Sequence, residues 1–355
     1  LVGGNILDAL AGRRDEVEVF ATNSAASGCF LEDFDGVFLT PQTLPDTLAF
    51  EARFVEVFDE LQPDLVIPCR DDDVVFLAEF GRKRHDLANR LLCGSPEFSR
   101  VAHDKHLSWR FSIENGLPFA PTLATPAGRQ ETLEFAENHG FPLLVKPLVG
   151  FASRDVWLVM DEAQLLRAAQ RPGFLIQHFL GQGASVASAW SSFVADGLPL
   201  FHSFEGLKHS IQIMIGPGGE CAGVFCSVNV NRYGTSLSLE RHDDPDAIEL
   251  GRRCAEVLGA AGWRGPVNIQ CQKTPGGTIY IYEYNARFSG ATAARCCMGY
   301  DEVGLVISLF TGRRITPPVV VPGSGSVTRV ALDRMDNQQV NSSLIRSGSW
   351  LKGHK

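Results

Sequence analysis

The stretch that most constrains how this chain can fold is residues 267–290, "VNIQCQKTPGGTIYIYEYNARFSG". Two runs rich in β-formers flank Pro275-Gly276-Gly277, a tight-turn sequence, so the segment reads as a β-hairpin. With Gly276-Gly277 as a two-residue turn, Pro275 faces Thr278, and counting back sets Gln270 opposite Glu283. Side chains alternate along a strand, so Glu283 and Asn285 share a face, Tyr284 points away, and Gln270 joins the pair. One carboxylate and two amide oxygens converging in this way suit Mg²⁺, a hard cation that prefers oxygen and keeps positions open for phosphate and water. Arg287 follows with the same parity, placed to meet a phosphoryl group whose charge grows in a transition state. The competing reading is a strand edge that is polar only on its solvent side.

A second segment, "FPLLVKPLVGFASRDVWLV", sets Lys146 in an apolar strand, where burial is costly without a partner. Only seven of the 32 basic residues are lysines, so a lysine here is informative. Its compact charge suits the α- and β-phosphates of a nucleotide, and the small-residue loop from Gly150 to Ser153 can lay backbone N–H groups over them. A lysine snorkelling from a strand end remains the alternative. Lys105, in "HDKHLSWRF", says less alone. A third segment, "FLIQHFLGQGASVA", runs from an apolar strand into a Gly-containing linker and reads as a hinge. Its backbone is placed to bond an adenine edge, with Phe174, Ile176 and Leu180 packing near the ring. The alternative is a plain core strand.

At 355 residues the chain has room for two or three packed units, at roughly 100–200 residues per domain. Residues 1–100 alternate short apolar runs ("EVEVFATN", "FDGVFLTP", "PDLVIPC") with helical patterns, the mark of a Rossmann-like parallel α/β sheet. The third run ends in Arg70-Asp71-Asp72-Asp73, either a ligand edge or acidic helix capping. From about Ala184 strands are expected to dominate until the helix "DAIELGRRCAEVLGAAG", and the polar tail after Pro318 holds one strand-like run, "SVTRVAL". A net charge of −9 without a basic run makes nucleic acid an unexpected partner. No apolar stretch reaches the roughly 18–20 residues of a membrane helix, and no basic n-region opens the chain, so a cytoplasmic location is expected. The opening "LVGGNILDALAG" reads as a strand end, a glycine turn and a helix start, which places a further strand upstream of Leu1. Nine scattered cysteines without a C-x-x-C pair read as reduced thiols.

Taken in order, Asp104-Lys105, Val145-Lys146-Pro147 with its loop, Ile176-Gln177 with Gly181-Gln182-Gly183, and Gln270 with Glu283-x-Asn285-x-Arg287 resemble the ATP-grasp superfamily. The closest likeness is to the synthetase domains of the carbamoyl-phosphate synthase large chain, in single copy, and it extends to about Pro317. The resemblance implies a Rossmann-like domain over 1–100, a two-lobed α+β ATP-grasp unit with its lid lobe at 101–183 and its metal lobe at 184–318, and a C-terminal strand and tail over 319–355. It implies Lys105, Lys146 and Ser153 on the phosphates, the backbone of Gln177, His178, Phe179 and Leu180 at adenine, and His209 at a phosphate or substrate contact. Gln270, Glu283 and Asn285 would hold two Mg²⁺ (or Mn²⁺), with Lys146, Asn285 and Arg287 catalytic. The implied activity is an ATP-dependent carboxylate–amine or carboxylate–thiol ligase working through an acyl phosphate, with ATP, a carboxylate and a nucleophile as its small-molecule partners. A homodimer is the default assembly. The alternatives are a phosphotransferase without a capture step and a degenerate nucleotide-binding protein; the retained metal set argues against the second. Three positions depart from the family pattern: Gly183 stands where a ribose-contacting Glu is usual, His178 where the hinge usually has Glu, and Ala286 where E-x-N-P-R has Pro.

Overall fold

The structure, a computed structural model, describes residues 2–44, 46–150, 153–197, 207–232, 235–321, 323, 325–330 and 333–353. Helix α1 (Val2–Ala9) leads into β1 (Phe20–Asn23), which pairs in parallel with β2 (Gly36–Leu39). The third expected strand, "PDLVIPC", makes only a single parallel bridge, Val66 to Leu91, because Pro63 and Pro68 bracket it and withhold two ladder donors. β13 (Ser349–Leu351) takes the third place in the sheet, antiparallel to β2, so the polar tail is drawn back onto the first unit. Helix α12 (Gln338–Ser347) anchors it, with Val340 and Leu344 in a core with Leu7, Phe34 and Val37.

Helix α2 (Thr47–Leu61), capped by Asp46, faces α3 (Asp71–Lys83) through Phe50, Phe54, Phe76 and Phe80, whose rings pack edge to face at 4.8–5.4 Å. Asp71, Asp72 and Asp73 fill the first turn of α3, and Arg82 and Lys83 its last, matching the helix dipole at both ends.

After α4 (Pro96–His103) and α5 (Lys105–Glu114) comes a four-stranded antiparallel sheet. It is built from β3 (Thr122–Ala124), β4 (Leu143–Pro147), β5 (Trp157–Val159) and β6 (Phe174–His178), in the order β3-β6-β4-β5. Helices α6 (Arg129–His139) and α7 (Glu162–Ala168) cover one face, closing a core of Leu143, Val145, Leu165 and Ile176. Strand alternation leaves Lys146, Leu175 and Gln177 on the other face.

Residues from Gly183 on form a helix, α8 (Gly183–Asp196), where strand was expected. Ala184, Ala187, Ala189 and Ala195 favour helix, and the segment lacks the two-residue apolar alternation of a half-buried strand. Strands then dominate, in a six-stranded sheet: β11 (Ile279–Asn285), β10 (Gly265–Lys273), β7 (Leu207–Ile215), β8 (Cys221–Arg232), β9 (Thr235–Arg241) and β12 (Ser326–Thr328), in that order. Helix α9 (Pro245–Ala260) packs Leu250, Cys254 and Leu258 onto Ile211, Ile213, Val267, Ile269 and Cys271. The opposite face of those strands is polar, carrying Ser210, Gln212, Asn268 and Gln270. Helices α10 (Thr292–Cys297) and α11 (Glu302–Thr311) share a core with α1, so the chain beyond the hairpin is packed against its own beginning. None of the nine cysteines is in a disulfide. Among the described residues no helix is long and apolar enough to cross a membrane.

Candidate active site

The hairpin reaches the expected pairing by an unexpected route. Its loop has three residues, Pro275 to Gly277: Thr274 N–H donates to Thr278 O at 2.8 Å, and Gly277 turns the chain at φ +88°. That register pairs Cys271 with Ile281 and would carry Gln270 onto Tyr282. A β-bulge between Gln270 and Cys271 takes up Tyr282 as the extra residue, and beyond it Gln270 faces Glu283 and Asn268 faces Asn285. The bulge decides which residues see the open face. Ile279 and Ile281 are buried, and an unbroken strand would put Glu283 beside them; with the bulge, Glu283, Asn285 and Arg287 face out while Tyr284, Ala286 and Phe288 turn in. Tyr284 is fixed there by a 2.8 Å hydroxyl contact with Ser112 of α5.

Two lysines meet this face. Lys105, the first residue of α5, sits where Asp104 caps the helix. Its Nζ lies 3.1 Å from Glu283 Oε1 and donates to Gly150 O at 3.0 Å. Lys146, 5% exposed, donates to Tyr282 O at 3.1 Å and lies 5.6 Å from the Tyr282 ring centre. Burial pushes its pKa down to about 7; nearby Glu283 opposes the shift, while Lys105 and Lys208 add to it. The carbonyl of the bulged residue thus holds one lysine, and the carboxylate beyond it the other.

Arg287 Nη2 donates to Asp71 Oδ2 at 2.8 Å and to Asn285 Oδ1 at 3.2 Å, and its Nη1 donates to Phe288 O at 3.0 Å. Arg287 Nε and Asn285 Nδ2 are buried without a partner. Asn268 is bound to its neighbours, donating to Ser210 Oγ at 2.8 Å and to Gln212 Oε1 at 3.1 Å.

The lid-side residues divide. Gln177 lies on the Lys146 face, but its amide donates to Thr122 Oγ1 at 3.0 Å. His178 N–H donates to Pro121 O at 2.9 Å, while its ring faces α6, 5.4 Å from His139; burial, then His139, lowers its pKa. Phe179 lays its ring against Gly181, where an added Cβ would have to displace the ring, and Leu180 packs on the core around Tyr284. Ser153 is exposed at φ +56°, whereas Phe151 and Ala152 of its loop lie outside the described residues.

Two expectations meet the wrong side of a sheet. Ile176 and Phe174 belong to the core under α6 and α7, so the lid strand presents Leu175 to Lys146 instead. His209 pairs with the buried Cys271, so its ring shares the α9 side, 6.0 Å from His242 and away from Glu283. Lys208, Ser210 and Gln212 take the Glu283 side. The alternation of Ile211, Ile213 and Ile215 in "LKHSIQIMI" carried that signal. Asp71 joins the site from the first unit, out of the acidic turn that reads as either a ligand edge or helix capping; nothing in the sequence pairs it with Arg287.

No protein-family model matches the chain. It is 26% identical over 218 residues, 59% of its length, to the carbamoyl phosphate synthase large chain of Methanosarcina mazei, and it spans 18% of that protein. Among solved structures, the biotin carboxylase domain dimer of Hydrogenobacter thermophilus 2-oxoglutarate carboxylase, with MgADP, ADP and bicarbonate, superposes with a TM-score of 0.63. That comparison covers 88% of this chain and 68% of the other at 16% identity. The ADP complex of N5-carboxyaminoimidazole ribonucleotide synthetase also gives 0.63, covering 90% and 77% at 12% identity. The fold is the ATP-grasp fold.

By donor type, the amide oxygens of Gln270 and Asn285 and the carboxylate of Glu283 would suit Mg²⁺ better than a thiophilic ion; here Glu283 Oε1 meets Lys105 and Asn285 Oδ1 accepts from Arg287. Among the described residues no group of three or more His, Cys, Asp and Glu side chains is placed to hold a metal. With one carboxylate, this cradle needs phosphate oxygens to complete it. Arg287 Nε and Asn285 Nδ2 are left as buried donors to which the described residues offer no acceptor.

Proposed function

We propose that the chain is an ATP- and Mg²⁺-dependent ligase that activates a carboxylate as an acyl phosphate and passes the acyl group to an amine or thiol. The observation carrying this reading is the convergence of Lys105, Lys146, Gln270, Glu283, Asn285 and Arg287 on one open face of a bulged hairpin. Lys105 and Lys146 bind the nucleotide phosphates, helped by backbone amides of the loop ending at Ser153. The backbone of Gln177 to Leu180 takes adenine. Gln270, Glu283 and Asn285 hold the metal, which would neutralise phosphate charge and fix the γ-phosphate for in-line attack. A lid at 101–183 and a metal lobe at 184–318 suit the two antiparallel sheets, β12 extending the second one further.

A carboxylate oxygen attacks the γ-phosphorus, the bond to the β,γ-bridging oxygen breaks, and ADP leaves. Arg287 balances the charge on the transferred phosphoryl group. The amine or thiol then attacks the acyl carbon, loses its proton, and expels inorganic phosphate. ADP release measured over a panel of carboxylates, each with and without amines or thiols, tests the reading. Turnover that needs both partners supports it. Carboxylate-dependent ADP release indifferent to every nucleophile would make the chain a phosphotransferase, and no nucleotide binding at all would end the reading.

A further inference from the structure

The three aspartates opening α3 have separate partners. Asp73 accepts from Thr43 Oγ1 at 2.7 Å and from Arg70 at 2.9 Å, a contact within its own unit. Asp72 meets His103 Nε2 at 2.9 Å, at the end of α4. Asp71 reaches across to Arg287, 216 residues away in sequence, and is the one anion paired with it among the described residues.

We propose that Asp71 is a positioning residue for Arg287, bringing the first unit into the phosphoryl-transfer machinery. The proposal rests on the ligase reading. Arg287's other two acceptors, Asn285 Oδ1 and Phe288 O, are neutral and lie on its own strand and loop, so they move with it. Asp71 is an outside reference: the first residue of a 13-residue helix, with its carboxylate at the favourable dipole end. A charge-assisted bond from that frame sets one edge of the guanidinium and leaves Nε, buried and without a partner, for the ligand side. The pair is largely shielded, at 13% and 30% exposure, which limits screening by water. The acidic turn therefore supplies more than helix capping: Asp72 and Asp73 tie local elements, while Asp71 aims an arginine.

The test compares Asp71→Asn and Asp71→Glu with the wild type, together with Arg287→Gln and the double variant Asp71→Asn/Arg287→Gln. Asp71→Asn should lower kcat about ten- to a hundredfold, the scale for a displaced catalytic group, with the Kd for ATP unchanged. Asp71→Glu should recover part of the loss, and the double variant should be no slower than Arg287→Gln alone. A second readout needs no turnover: the rate of Arg287 modification by phenylglyoxal, resolved by peptide mass spectrometry, should rise in Asp71→Asn. Wild-type kcat in Asp71→Asn, or losses that multiply in the double variant, would overturn the proposal. If the wild type turns over ATP with no acid, the ligase reading fails separately, and an unchanged modification rate would then still overturn the role given to Asp71.

Discussion

Lys146 makes nucleotide binding depend on pH in a direction the structure fixes. Its pKa in the nucleotide-free protein is about 7, because burial penalises the ammonium more than Glu283 supports it. At pH 8 such a group carries its proton about one time in eleven. Phosphates bound against it favour the charged form and return the pKa towards 10.5, so ATP binding at pH 8 should take up about 0.9 proton at this residue. The missing charge weakens binding on the order of tenfold at pH 8, and the loss grows about tenfold per pH unit above that. Affinity should be flat below pH 7 and fall from pH 7 to 9. Isothermal titration in buffers of different ionisation enthalpy measures the uptake directly.

Lys146→Arg is the control, since an arginine stays charged throughout: proton uptake should vanish and the pH profile should flatten. The same depression bears on folding. The folded-state pKa lies below the unfolded one, so between pH 7 and 10.5 the unfolded chain binds more protons; stability rises with pH across that window and is fully penalised below it. Lys146→Met should therefore raise the melting temperature of the nucleotide-free protein at pH 7 while weakening ATP. Flat affinity between pH 7 and 9 with no proton uptake in the wild type would refute the argument.

Three further perturbations probe the same face. Lys105→Met removes the ammonium that sits on Glu283, so Mn²⁺ binding without nucleotide should tighten about three- to tenfold while ATP binding weakens; electron paramagnetic resonance titration reads the metal arm, and weaker Mn²⁺ binding would count against the pairing. Glu283→Ala or Asn285→Ala should cut ATP turnover at least about a hundredfold without moving the circular-dichroism melting curve appreciably; wild-type turnover in either removes the metal cradle. Deleting Tyr282 closes the bulge and leaves Glu283 facing out, one position after buried Ile281, but it removes the carbonyl that holds Lys146; ATP binding should weaken about three- to tenfold, and an unaltered Kd would mean that the bulge carbonyl does not seat the lysine.

What the sequence made legible follows strand parity. Glu283, Asn285 and Arg287 share a face because each is two residues from the next, which holds whatever the strand packs against. Gln270 faces Glu283 through two offsetting departures, a loop one residue longer than expected and a bulge that restores the count. The bulge leaves a mark in hindsight: "IYIYEYN" alternates Ile and Tyr cleanly until Glu283, where the buried member of the pair changes from Ile to Tyr. His209, Phe174 and Ile176 were misplaced for the converse reason. The apolar residues two positions away put each on the core side, a parity that neither the family resemblance behind His209 nor the hinge reading behind Phe174 and Ile176 takes into account.

The contacts that stayed hidden are those between segments far apart in the chain. Nothing around Asp71 distinguishes it from Asp72 and Asp73, and all three satisfy the same helix-capping rule. Their difference lies in which element arrives opposite each one, and only tertiary packing supplies that. The C-terminal tail is similar: "SGSWLKGHK" is polar and short, yet Trp350 pairs with Val37 because β2 has an open edge beside a buried apolar face. An unpaired edge is an unmet demand of the first unit, and a strand of three residues is enough to meet it. With α10 and α11 packed on α1, both ends of the chain are tied to the unit that carries Asp71. The frame that aims Arg287 is therefore assembled from sequence before and after the hairpin, and a change at either end can reach the guanidinium without touching a motif residue.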